Sequence, residues 1–184
     1  VVNGIEIGKF KILGINEIIS SNEELDNKIQ NATKLASTDY QKKLDEIIDN
    51  LDGKRPTLLL HACCAPCSSY VLEYLNNYFD ITLYFYNPNI YPDSEYFFRA
   101  EELKRLLEKM KLRVNVIVEE YDNEDFENVA NFYADLPEGS IRCFNCYKLR
   151  LEKSIKYAKE KSFDFVTTTL TISPHKNAEK LNEI

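Results

Sequence analysis

Thr57-Leu58-Leu59-Leu60-His61-Ala62-Cys63-Cys64-Ala65-Pro66-Cys67-Ser68 is the stretch that decides the fold. A short apolar run without alternation is the pattern of a strand buried on both faces, as in a parallel sheet. Three cysteines follow it at once, and a helix is expected after them, from about Ser68 to Tyr78, with Ser68 or a neighbour as its cap. Strand, cysteine turn and helix make the first β–α unit. The rest of the chain repeats that grammar. Ile81 to Tyr86 reads as a second strand, broken by Asn87-Pro88-Asn89. Ser94 is the expected cap of a helix from Glu95 to Lys111, with Phe98, Leu103, Leu106 and Leu107 on its apolar side. Val114 to Val118 is a third strand and Asn123 to Ala134 an acidic helix. Leu136-Pro137-Glu138-Gly139-Ser140 leads into Cys143 and a helix to about Lys161. Phe163 to Thr169 is the fourth strand, and another helix starts from Lys176.

The expected fold is therefore α/β, a three-layer parallel-sheet domain with helices on both faces. Residues 57–184 form this domain and carry both cysteine groups. Residues 1–56 read as a partly helical N-terminal extension. Within it, Tyr40, Leu44, Ile47, Ile48 and Leu51 recur at helical spacing from Thr38, and Gly53 is the stop. The isoleucine-rich patches between Gly4 and Ser21 receive no assignment. Ligands of such sheets bind beyond the carboxyl ends of the strands. That edge carries the first cysteine group, the loops Asn87–Ser94 and Tyr121–Asn123, and the segment Leu170–His175.

Composition narrows the classes. The chain has 184 residues, 44% hydrophobic and 29% charged, with net charge −7. This is globular composition and excludes a uniformly basic nucleic-acid coat. No apolar run approaches the roughly 20 residues of a membrane helix, and the first ten residues do not pattern as a signal peptide. No membrane partner and a cytoplasmic location are expected.

Five cysteines, an odd number, fall in two tight groups: Cys63, Cys64 and Cys67, then Cys143 and Cys146, with 76 positions from Cys67 to Cys143. Dispersed, paired cysteines would suit a secreted disulfide framework; these suit a metal or redox site in a reducing compartment. With two histidines, His61 and His175, any metal is bound mainly through sulfur. Cys64-Ala65-Pro66-Cys67 alone resembles a thioredoxin-type pair at a helix start. A dithiol site has no use for a third neighbouring thiol or for a second C-x-x-C, Cys143-Phe144-Asn145-Cys146. Zinc or an iron–sulfur cluster could each take four of the five. A domain with ample core needs no structural zinc, and the ligand edge is placed for chemistry, which favours a redox-active cluster. The hydrolase readings fail. No Gly-rich phosphate loop follows the first strand, and two histidines without a nucleophile elbow do not make a Ser-His-Asp site.

Residues 141–161 hold seven basic and two acidic side chains. That stripe reads either as a phosphate contact or as an exposed helix face. Arg142 and Arg150 lie nearest the cysteine pair, and Ser173 and Lys176 fall on the ligand edge at a helix start. His61 reads as a donor to a cluster sulfur or as a strand-end histidine satisfied by backbone. Tyr84, Phe85, Tyr86, Tyr91 and Tyr96 read as base-stacking or core aromatics.

Four stretches together resemble the QueH-type epoxyqueuosine reductases. They are Leu58 to Ser69; Tyr86 to Pro92 with Glu95, Tyr96 and Arg99; Arg142 to Leu151; and Thr167 to Leu170 with Ser173-Pro174-His175-Lys176-Asn177. The resemblance spans roughly residues 40–184. It implies a fold like that of the adenine-nucleotide alpha hydrolases (the HUP class) and a [4Fe–4S] cluster on Cys63, Cys64, Cys143 and Cys146. It implies reductive removal of the epoxide oxygen of epoxyqueuosine at the wobble position of tRNA, the last step of queuosine synthesis. Asn87, Tyr91, Arg99, Arg142, Arg150, Ser173 and Lys176 are then the substrate-binding expectations. Cys67 is left over, and an additional mononuclear iron is expected on it with a carboxylate, for which Asp122, Glu95 and Asp93 are the candidates. Many members carry a tail with two further cysteines, and no cysteine follows Cys146 here. The electron donor is unidentified. The alternatives left standing are a non-catalytic zinc protein that binds nucleic acid and a thioredoxin-like dithiol oxidoreductase.

Overall fold

The computed structural model describes residues 6–7, 10–13, 42–173 and 176–184. In chain order these form β1 (Glu6–Ile7), β2 (Phe10–Leu13), a helix over 42–49 (α1), β3 (Thr57–His61), α2 (Ala65–Leu75), β4 (Asp80–Phe85) and α3 (Asp93–Met110). There follow β5 (Asn115–Val118), α4 (Glu124–Ala130), a 3-10 turn (Asn131–Tyr133), α5 (Ile141–Glu160), β6 (Phe165–Thr168), a second 3-10 turn (Thr169–Ile172) and α6 (Ala178–Glu183). The strands lie in the order β1-β2-β6-β3-β4-β5, all parallel from β2 onward, with β1 antiparallel at the edge. Parts of 1–56 thus extend the sheet as β1 and β2, within patches that carry no assignment from sequence. The helix start expected at Thr38, together with Pro174 and His175, lies outside the described residues.

The apolar run divides by the period-2 rule of strands. Leu58 and Leu60 face one packing group with Ile81, Leu83 and Phe85, against Val71, Leu72 and Leu75 of α2 and Ala100, Leu103 and Leu107 of α3. Leu59 faces the other way, with Tyr84, Tyr86 and Val166, onto Ala158 of α5. Helices on both faces of a parallel sheet make the three layers. Each fully buried leucine contributes about 1.5–3 kcal/mol, enough to fix the register of β3. The strand starts are clamped as well. The Asp164 carboxylate accepts from the Thr57 N–H and hydroxyl at 3.0 and 2.8 Å, and Thr57 Oγ1 accepts from the Asp164 N–H at 3.0 Å.

Two expected caps are corrected. The residue before α2 is Cys64, with Pro66 in the first turn, and Ser68 is buried inside the helix, donating to the Cys64 carbonyl at 2.7 Å. α3 starts at Asp93, whose carboxylate accepts from the Ser94 N–H. Phe98 is 59% exposed, because the buried face of α3 runs through Tyr96, Ala100, Leu103 and Leu107. At about 100° per residue, Phe98 stands about 200° around from Tyr96. Among the described residues no helix is long and apolar enough to cross a membrane.

Candidate metal and redox site

β3 ends at His61, and the chain turns at once into α2. That turn puts Cys63, Cys64 and Cys67 together, with their three sulfurs within 4.8 Å of one another. Cys63 and Cys64 sulfurs are 3.8 Å apart, far beyond a disulfide bond. Tetrahedral thiolates at a metal–sulfur distance of about 2.3 Å stand about 3.8 Å apart, so the spacing suits a shared cation. The electrostatics agree. Cys67 is lowered, first by hydrogen bonding from Cys63 and further by the charge of Lys176, against burial. Cys64 is driven far up by its contact with Cys63 and by burial. Three thiolates this close repel one another, and a cation is what lets all three ionise.

The neighbouring strand end completes the turn. Thr169 Oγ1 accepts from the Cys63 N–H at 3.0 Å and donates to the Cys63 sulfur at 3.2 Å. His61 is fully buried and does not donate to a sulfur. Its Nε2 meets the Tyr86 carbonyl at 3.0 Å, which can only accept, so Nε2 carries the proton. Nδ1 therefore accepts from the Thr168 hydroxyl at 2.8 Å. Burial, helped by the nearby Arg150 charge, pushes His61 down to about 3 and keeps it neutral.

Cys143 and Cys146 open α5, one turn apart. Cys143 and Cys63 both pack against one buried cluster, formed by Tyr147, Leu151, Leu170 and Leu181. The two later cysteines line a cavity of about 260 Å³ with Asn89, Phe126, Glu138, Arg142, Tyr147, Arg150 and Lys176. Lys176 joins the two groups. It lines this cavity, its ammonium lies 5.9 Å from the Tyr147 ring centroid, and its charge acts on Cys67. Gly139, at φ +83°, turns its N–H onto the Cys143 sulfur at 3.3 Å. Cys143 and Cys146 are not part of the compact trio of sulfurs.

The other expected residues divide. Arg142 and Lys176 line the cavity; Arg142 also donates to the Ala134 carbonyl at 2.9 Å. Arg150 is not on an exposed stripe. It is 4% exposed and donates to Asn87 Oδ1 at 3.1 Å and, at 3.4 Å, to the Cys146 carbonyl. Asn87, expected to meet substrate, is buried, and its amide is used between Arg150 and the Ala62 carbonyl, 2.9 Å away. Tyr84, Phe85, Tyr86 and Tyr96 are core; Tyr91 is 78% exposed. Ser173 is not at a helix start, since α6 begins at Ala178 and is capped by Asn177. No carboxylate joins the sulfur trio among the described residues. Glu95 is paired with Arg99 at 2.7 Å, and Asp93 and Asp122 accept from the N–H groups of Ser94 and Glu124 at their helix starts. The carboxylate that does line the cavity is Glu138. It was not among the expected site residues, nor was Phe126, which carries no motif, nor Asn89, which read only as a strand breaker within the family stretch. For Glu138 the one available signal was its place beside Gly139 in the turn before Cys143.

A family model described as epoxyqueuosine reductase QueH matches residues 58–184. The chain is 41% identical over 166 residues to the protein of that name from Staphylococcus epidermidis (strain ATCC 12228 / FDA PCI 1200), covering 86% of this chain and 70% of that one. It is 39% identical over 137 residues to the Streptococcus pyogenes serotype M1 protein of the same name, covering 72% and 54%. A third, from Staphylococcus aureus (strain Mu50 / ATCC 700699), is 39% identical over 153 residues, covering 79% and 64%. The chain thus spans between about half and 70% of the length of these relatives.

Proposed function

Because the chain belongs to the QueH family, we propose that it is an oxidoreductase that removes the epoxide oxygen of epoxyqueuosine in tRNA to give queuosine. The observation that carries this reading is that Cys63 and Cys143 pack against the same buried cluster, while Lys176 lines the cavity of Cys143 and Cys146 and its charge acts on Cys67. The donor set fits a thiolate-bound iron centre: five free thiols and no carboxylate among the three packed sulfurs. Cys63, Cys64, Cys143 and Cys146 would hold a [4Fe–4S] cluster, and Cys67 would hold a second iron. When bound, such a centre supplies electrons and a Lewis acid.

The reaction takes two electrons and two protons, breaks the two C–O bonds of the epoxide, forms a carbon–carbon double bond and releases water. The electrons come from a separate donor. In this reading Lys176 and Arg142 hold the oxygen side of the substrate with charge-assisted hydrogen bonds. The faces of Phe126 and Tyr147 hold its ring, and Glu138 accepts from its amine or hydroxyl groups. Buried Arg150 offsets the negative charge of the assembled thiolates from beneath.

The test is anaerobic purification, iron, sulfide and zinc analysis, and reaction with epoxyqueuosine-containing tRNA and a chemical reductant, read by nucleoside mass spectrometry. Brown protein that converts the nucleoside supports the reading. Colourless zinc protein without turnover, or metal-free protein that reduces disulfides, overturns it.

A further inference from the structure

Among the described residues outside the cysteines, one hydroxyl touches a sulfur of the first group, and nothing in the proposed chemistry uses it. Thr169 stands at the start of the turn after β6, directly across from Cys63, because β6 and β3 pair in register from Leu58↔Phe165 to His61↔Thr168. Its hydroxyl accepts one hydrogen bond, from the Cys63 N–H, and spends its single proton on the Cys63 sulfur. The accepted bond fixes the rotor, so the proton has one direction to point.

The turn behind it is held in the same way. The Thr168 hydroxyl donates to His61 Nδ1 and accepts from the Leu170 N–H at 3.1 Å, and the Thr171 hydroxyl donates to the Thr168 carbonyl at 3.2 Å. Thr168, Thr169, Leu170 and His61 are all buried. A surface hydroxyl would exchange its proton between water and sulfur; this one is aimed by a buried frame.

We propose that Thr169 is a positioning residue whose hydroxyl both orients the Cys63 sulfur and sets the reduction potential of the centre that Cys63 binds. Hydrogen bonds to a metal-bound thiolate stabilise the more negative, reduced state and raise its potential. The proposal rests on the metal reading above. Wild-type protein that holds no redox-active metal overturns that reading, and this proposal with it, before any variant is made.

The experiment compares wild type with Thr169→Val, Thr169→Ala and Thr169→Ser, each purified anaerobically, with iron content, circular dichroism and a potentiometric titration followed by electron paramagnetic resonance. Thr169→Val keeps the branched shape without the hydroxyl; Thr169→Ser keeps the hydroxyl. The expected result is a shift to more negative potential in the Val and Ala variants, with the Ser variant at the wild-type value. Loss of iron from the Val and Ala variants with unchanged circular dichroism, while the Ser variant retains it, supports the orienting role. Wild-type potential and iron content in both hydroxyl-free variants overturn the proposal, as does a Ser variant displaced as far as the Val variant.

Discussion

The two cysteine groups share a spacing and differ in what holds them. Both are C-x-x-C sequences opening a helix. The first sits on the end of a central strand, hydrogen-bonded on both sides to other strands, and its sulfurs crowd within 4.8 Å. The second sits on a helix that reaches the sheet end through side chains, above all Arg150 on Asn87 and Asn87 on the Ala62 carbonyl. The first group is placed by the backbone ladder and the second by a buried polar relay. The metal proposed to be shared by the two groups would then take one set of ligands from the sheet and the other from a helix anchored by side chains.

The sharpest way to break this comparison is to remove a ligand from each side. Cys63→Ala and Cys143→Ala are both expected to abolish the same metal-derived absorption; retention by either shows that the groups work apart. Next in size is the relay. Asn87→Ala takes from the buried Arg150 guanidinium one of its acceptors, the Cys146 carbonyl remaining, and is expected to cost about 1.5–3 kcal/mol in a denaturation midpoint measurement. Its metal loss should trace to Cys143 and Cys146, with the three sulfurs of the first group still crowded enough to bind one zinc ion.

The third prediction concerns His61, whose pKa of about 3 in the folded chain lies below the ordinary 6.5 of a histidine. Below about pH 6.5 the unfolded chain takes up a proton that the folded chain refuses until about pH 3. The stability from neutral His61 is thus complete above pH 6.5 and falls with pH by about 1.4 kcal/mol per unit. Comparison of metal-free wild type with His61→Gln by urea unfolding from pH 7 to 4 isolates that slope; parallel curves contradict it. Smaller again is Gly139→Ala, strained at φ +83° and with nothing within 4 Å of an added Cβ. It is expected to cost about 1 kcal/mol and to loosen the N–H contact to Cys143. The smallest effect belongs to Arg99→Ala, which breaks an exposed pair with Glu95 and should change thermal stability by less than about 1 kcal/mol.

The sheet was readable in the sequence because β3 to β6 are apolar or β-branched runs flanked by turn residues, and period 2 then sorts Leu58 and Leu60 from Leu59. β1 and β2 were not, since Glu6–Ile7 and Phe10–Leu13 lie in isoleucine-rich patches interrupted by Gly8 and Gly14. The cysteine spacing pointed to a candidate metal site, and the fold brings three of the five sulfurs together. The role of Arg150 was hidden by its charge, although Cys146, Tyr147, Arg150, Leu151, Ser154 and Ala158 fall on one inward face of α5 at three- and four-residue steps. Periodicity held that signal; the assumption that arginines face water overrode it. Asn87 was expected at the substrate through the family resemblance, and only the fold shows its amide engaged by Ala62 and Arg150. Thr169 gave no signal within a run of three threonines, because its partner Cys63 is 106 residues away and adjacent only through the β3–β6 pairing.

The central claim is that both cysteine groups grip one redox centre, and iron and acid-labile sulfide counted per chain in wild type, Cys63→Ala and Cys146→Ala test it most directly. The account predicts iron and sulfide in the wild type and the loss of sulfide-bearing iron from both variants alike. Full iron and sulfide in Cys146→Ala, with loss confined to Cys63→Ala, would contradict it.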